Sequence, residues 1–238
     1  MKRFDFLSST GAAAATLSAL AAASPAGAAE SSDAARAQLR PGQRLVAIAV
    51  TAGANVMDVA GPWEVFQDTP LAGRDDDGAF LPFLVSDARD AVAATAGLGM
   101  LPRFTFADAP QPDVVVVGAQ RGSPGLTAWL QAQAPHALVM SVCTGAFKVA
   151  QAGLFDGKQA TTHHEFYDAF AKQFPNVTLV RGPRFVDAEN VCSAGGLTSG
   201  INLDLHVVER FHGREVADRV ASYMEFVRTE RPEPPRPA

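Results

Sequence analysis

Two residue types in this 238-residue chain carry most of the chemistry that its spacing allows: a thiol and a nearby acid. Cys143 stands in Ser141-Val142-Cys143-Thr144-Gly145, directly after the apolar run Ala137 to Val142 and before a helical stretch. Strand, sharp turn and helix form an elbow that presents a nucleophile. Free backbone N–H groups at a helix start favour an anion, so the expectation is a thiol pKa below its free value of about 8.5. A buried structural cysteine is the ordinary alternative for this residue type.

Asp58 is the acid, at the start of a predicted helix over residues 58–67, beside the apolar Val56-Met57. Aspartate also caps helices, and Asp58 can serve both ends. Thr144 is open in the same way, as a cap or as a partner of the cysteine. Glu64, six residues after Asp58, falls on a different helix face and reads as structural or solvated. His163 and His164 have no cysteine or carboxylate at metal-ligand spacing, so no metal site is expected; His163 is a pocket candidate. Gly195-Gly196 reads as a turn before a long helix. No motif implies a cofactor.

The elements that must position these residues alternate in type. Residues 45–50 and 113–118 are short continuous apolar runs, as in strands buried on both faces, and the second holds four consecutive valines. Further strands are expected at 80–85, 92–94, 137–142, 177–180 and 185–187. Helices are expected at 124–133, with proline in the first turn, and at 144–151, 164–173, 197–211 and 214–228. This alternation implies an α/β fold of flavodoxin-like type: a mostly parallel sheet, helices on both faces, and the ligand at the carboxyl ends of the strands.

Residues 1–29 have the order of a signal peptide: Lys2 and Arg3, an apolar stretch from Ala12 to Ala23, then Ala26-Gly27-Ala28. Arg3-Phe4-Asp5-Phe6-Leu7 looks like a twin-arginine motif lacking one arginine, which leaves the Sec and twin-arginine routes both open. The expectation is a periplasmic or secreted protein with a linker at 30–42, one domain at 43–230 and a disordered tail at 231–238. Removing residues 1–29 takes away Lys2, Arg3 and Asp5 and leaves a net charge of about −6, which calls for no nucleic acid. No later segment has 18 uninterrupted apolar residues, so no membrane association is expected of the mature form. Cys143 and Cys192 are the two cysteines, and free thiols are expected, because a domain of this size stabilises itself by its core.

Ser141 to Phe147, then Ala152-Gly153-Leu154 and Ala160-Thr161-Thr162-His163, resemble the PfpI-type branch of the class I glutamine amidotransferase-like superfamily. Within it the chain is most similar to the group of isonitrile hydratases and the ligand-binding halves of AraC-type regulators. Asp58 to Phe66 and Ser193 to Ile201 fit that group too, so the resemblance spans residues 44 to 228. Thr144 stands where peptidase-like members have histidine, which argues against proteolysis. Gly118-Ala119 replaces a usual pair of glycines, leaving the Ala119 and Thr144 amides as an oxyanion pocket, and His164 replaces an aromatic residue.

The resemblance implies Cys143, Asp58 and Thr144 as catalytic residues. It implies an exported cysteine-dependent hydratase or hydrolase of a small carbon-nitrogen substrate, converting an isonitrile and water to an N-substituted formamide, and a homodimer. Two other functions compete: a periplasmic ligand-binding or sensor domain, and an oxidant-responsive thiol protein. AraC-type regulators continue into a helix-turn-helix region that is not expected here.

Overall fold

The computed structural model describes residues 36, 39–72 and 74–228, with backbone alone at 74–77. The expected signal segment at 1–29, most of the linker and the 231–238 tail lie outside the described residues. Seven strands form the main sheet: β1 (Arg44–Ala49), β2 (Phe80–Ser86), β3 (Phe104–Thr105), β4 (Val114–Val117), β5 (Leu138–Ser141), β6 (Phe185–Ala188) and β7 (Val191–Ala194). Their order is β6-β7-β5-β4-β1-β2-β3, and every neighbouring pair is parallel except β6–β7.

The apolar runs form central strands because both faces of the sheet are covered. Val46 and Ile48 of β1 join one core with Val114 and Val116 of β4, while Leu45, Ala47, Val115 and Val117 join a second core on the other side. Burying one valine side chain stabilises by roughly 1.5–3 kcal/mol. Helices α1 (Val56–Gln67), α5 (Ser199–His212) and α6 (Arg214–Tyr223) cover the first face. Helices α2 (Pro124–Gln133), α3 (Gly145–Gln151) and α4 (Tyr167–Gln173) cover the second. The chain is a flavodoxin-like α/β domain, as its alternating pattern implies.

Several expected elements differ. Residues 92–93 and 178–179 pair in two-stranded ribbons outside the main sheet. The helix expected from 164 opens as a 3-10 turn (His164–Phe166) before α4. The last helix stops at Tyr223, not Arg228, because Glu225 adopts a φ of 53° and Arg228 folds back onto Glu209 and Asp218. β7 is a strand that the periodicity did not announce, and it sets the inner edge of the site.

The chain leaves β1 toward β2 on one side and returns to β4 on the other. Such a change of direction opens a crevice at the carboxyl ends of the strands. Loops after β1, β4, β5 and β7 meet there.

Candidate active site

Cys143 follows β5 with a φ of 59°, the left-handed conformation that a sharp strand-to-helix turn demands. The amide of Cys143 donates to the Gly195 carbonyl at 2.8 Å, and its carbonyl accepts from Thr162 Oγ1 at 2.9 Å. Both bonds hold a costly backbone shape from outside the turn. Gly145 is required next: a Cβ there would collide with the Val117 carbonyl. The thiol itself is buried.

Asp58 comes from the opposite wall. Asn55 caps α1, accepting from the Met57 and Asp58 amides, so the capping alternative for Asp58 does not hold. Pro62 has no N–H to give to the Asp58 carbonyl one turn back. The Asp58 carboxyl points inward, fully buried, and Oδ2 accepts the Ala119 amide at 2.9 Å. Gly118 makes this approach possible, since a Cβ there would stand 2.7 Å from the Asp58 Cβ. The Ala119 amide is thereby occupied by a carboxylate, so the oxyanion pocket expected from Ala119 and Thr144 is reduced to the Thr144 side.

Burial pushes the Asp58 carboxyl up to about 6, against the Ala119 amide and, more weakly, the Leu197 amide. Leu197 stands close enough to act on the charge without completing a hydrogen bond, because Oδ1 has no partner. Burial, and then the Asp58 charge, push the Cys143 thiol up to about 11. The Thr144 amide and hydroxyl and the Leu197 amide oppose this without overcoming it. The lowered pKa expected for an elbow cysteine is corrected: the seven-residue helix α3 contributes less than desolvation and a neighbouring carboxylate cost.

Thr144 precedes α3 but makes no capping bond; its hydroxyl serves the Cys143 sulfur. Cys143, Asp58, Thr144, Gly118 and Ala119 therefore converge. The His163 ring covers Gly196, where any Cβ would collide with it, and stacks on His164 at 4.5 Å. Glu64 is exposed and bonded by Gln67, as a solvated residue should be.

Two contributors were not evident beforehand. Leu197, after β7, holds a φ of 53° and turns its amide toward both Asp58 and Cys143. Asp204 on α5 is fully buried, neither of its oxygens has a partner, and burial and then the Asp58 charge push it well above the usual carboxylate range. It lies one turn beyond Ile201, whose side chain faces Gly61 of α1. An acid inside an apolar stretch was the available signal.

Cys192 is the other free thiol. It is buried at 3.3 Å from Asp187, which also contacts His206 at 2.7 Å and Arg210 at 3.2 Å. Among the described residues no group of three or more His, Cys, Asp and Glu side chains could hold a metal, and no helix is long and apolar enough to cross a membrane.

A doubly wound sheet with an elbow cysteine and an acid from the first β-α crossover defines a class of α/β proteins. The chain belongs to the DJ-1/PfpI family, whose model matches residues 44–210. It is 31% identical to an isonitrile hydratase of Pseudomonas putida over 194 residues, 75% of each chain. It is also 33% identical over 143 residues to the HTH-type transcriptional regulator GbdR of Pseudomonas aeruginosa, but covers 39% of that protein. Among solved structures, a ThiJ/PfpI family protein from Pseudomonas syringae matches with a TM-score of 0.67 and 26% identity, over 82% of this chain and 78% of that one. Drosophila melanogaster DJ-1beta shares the fold, with a TM-score of 0.66 and 18% identity, over 78% of this chain and 99% of that one.

Proposed function

We propose that the protein is an exported cysteine-dependent hydratase that converts a small isonitrile and water to an N-substituted formamide. The observation that carries this reading is the Asp58–Cys143 couple: two buried acids in electrostatic contact, with the carboxyl near 6 and the thiol near 11. At neutral pH the proton resides on sulfur and the charge on Asp58. An isonitrile carbon accepts a nucleophile and a proton at the same atom, so a couple that can pass one proton suits it.

In the first step the Cys143 S–H bond breaks, Asp58 takes the proton, the S–C bond forms, and Asp58 returns the proton to that carbon. The product is a thioimidate on Cys143. Water then adds to the same carbon, its proton reaching nitrogen with Asp58 as base. Loss of the C–S bond and of the remaining O–H proton to sulfur gives the formamide and restores the thiol. The Thr144 amide and hydroxyl stabilise negative charge on sulfur as it develops and departs.

The 31% identity to an isonitrile hydratase supports the reaction class. The signal-like order of residues 1–29 supports a periplasmic or secreted location, and the family resemblance supports a homodimer. Similarity to GbdR favours a second reading, a non-catalytic ligand-binding domain. A peroxide-responsive thiol is the weaker third, because a thiol held near 11 is protonated at neutral pH.

The test is direct detection of formamide from cyclohexyl isocyanide. Formamide from the wild type and none from Cys143→Ala or Asp58→Asn is expected; none from the wild type overturns the hydratase reading in favour of ligand binding.

A further inference from the structure

On the second face of the sheet, α2 and α3 flank a cavity of about 510 Å3. Arg121 and Lys148 line it, together with Gly122, Ser123, Gln131 and Gln151, and no lining residue is acidic. Among the described residues neither cation has a carboxylate partner, whereas most other arginines of the domain are paired.

The two cations are positioned by the backbone. Gly122 holds a φ of 77°, and a Cβ there would lie 2.9 Å from Lys148 Cδ, so the glycine seats the lysine stem. The Gly122 amide donates to Thr51 Oγ1 at 2.9 Å, and the Arg121 amide donates to the Ala52 carbonyl at 3.1 Å. The nearby acid, Asp87, lies at the rim of the cavity, where it accepts from the lining residue Ser123 through Oγ at 2.8 Å and stands over Gly125 at the start of α2. That carboxylate serves the start of α2, whose N-terminus favours negative charge, and it pairs with neither cation. Both cations line the cavity, and an oxyanion there would accept charge-assisted hydrogen bonds from each of them.

We propose that this cavity is an oxyanion site, taking a phosphate or carboxylate group held between Arg121 and Lys148, separate from the Cys143 centre. Its lining includes no residue of that centre, so the site does not depend on the hydratase reading.

The probe is inorganic phosphate, titrated calorimetrically into the full chain at low ionic strength, with acetate in a parallel arm to separate phosphate from carboxylate preference. Saturable 1:1 binding is expected. Arg121→Gln and Lys148→Met, which keep length and stem, should each weaken it by about tenfold, the worth of one charge-assisted bond. Cys143→Ala should bind as the wild type does. Absence of saturable binding for both anions, or binding that survives in the Arg121→Gln/Lys148→Met double variant, overturns the proposal.

Discussion

The Asp58 carboxyl accepts the Ala119 amide at 2.9 Å, joining the first turn of α1 to the loop after β4 across the crevice of the sheet. One oxygen is thereby fixed and the other is left without a partner, inside the protein. An acid held in this way is oriented by its bound oxygen and kept reactive at the free one.

Removing the acid while keeping the bond isolates its chemical role. Asp58→Asn retains an acceptor for Ala119 and loses the exchangeable proton. General acid–base catalysis contributes about 10²–10⁴-fold, so kcat/KM for an isonitrile should fall by that range, while Tm near neutral pH stays at or rises above the wild-type value because a buried charge is removed. Equal turnover in this variant would remove Asp58 from the mechanism.

The thiol's proton affinity gives a second prediction. Burial and the Asp58 charge hold Cys143 near 11, so alkylation by iodoacetamide should accelerate as pH rises from 7 to 10. Asp58→Asn removes the charge and lowers the thiol pKa, and alkylation at pH 8 should be faster than in the wild type. Thr144→Val removes a hydroxyl that favours the thiolate, and should slow it. A wild-type thiol alkylating at a constant rate across this range would contradict the environment described.

Glycines supply the third. Gly118→Ala would push on the Asp58 Cβ at 2.7 Å and displace the carboxyl. A displacement of about 1 Å in a reacting group can cost about a hundredfold, so activity of the folded variant should fall by that factor, beside an overpacking cost of about 1–3 kcal/mol in stability. Gly145→Ala meets backbone instead, at the Val117 carbonyl, and should cost about 3 kcal/mol of stability, measured by urea unfolding.

What the sequence disclosed follows from how local each signal is. Four valines and a proline-led helix are short-range statements, so β4 and α2 were legible, and the elbow at Cys143 followed from the strand before it. β7 was not. Val191-Cys192-Ser193-Ala194 is small and partly polar, and its strand state comes from pairing with β5 and β6, which are distant in sequence. The charge states at the site were hidden for the same reason. A raised thiol pKa depends on desolvation and on Asp58, 85 positions away, so local helix-end reasoning gave the wrong sign. Leu197 carried no signal of its left-handed backbone, since leucine rarely adopts one.

Asp204 offers the clearest pH test. Burial and Asp58 raise its folded pKa well above 3.8, the value that an unfolded carboxyl keeps. The folded state thus holds its proton where the unfolded state has lost it. The contribution of Asp204 to stability is fullest below about 4 and declines as pH rises toward the folded pKa, and Asp58, raised to about 6, contributes in the same direction. Asp204→Asn cannot ionise and removes its share of the decline. The Tm advantage of the variant over the wild type should therefore grow from pH 4 to pH 8. A difference that stays constant across that range would mean that Asp204 does not bury a proton, and would redirect attention to a cationic partner for its two unsatisfied oxygens.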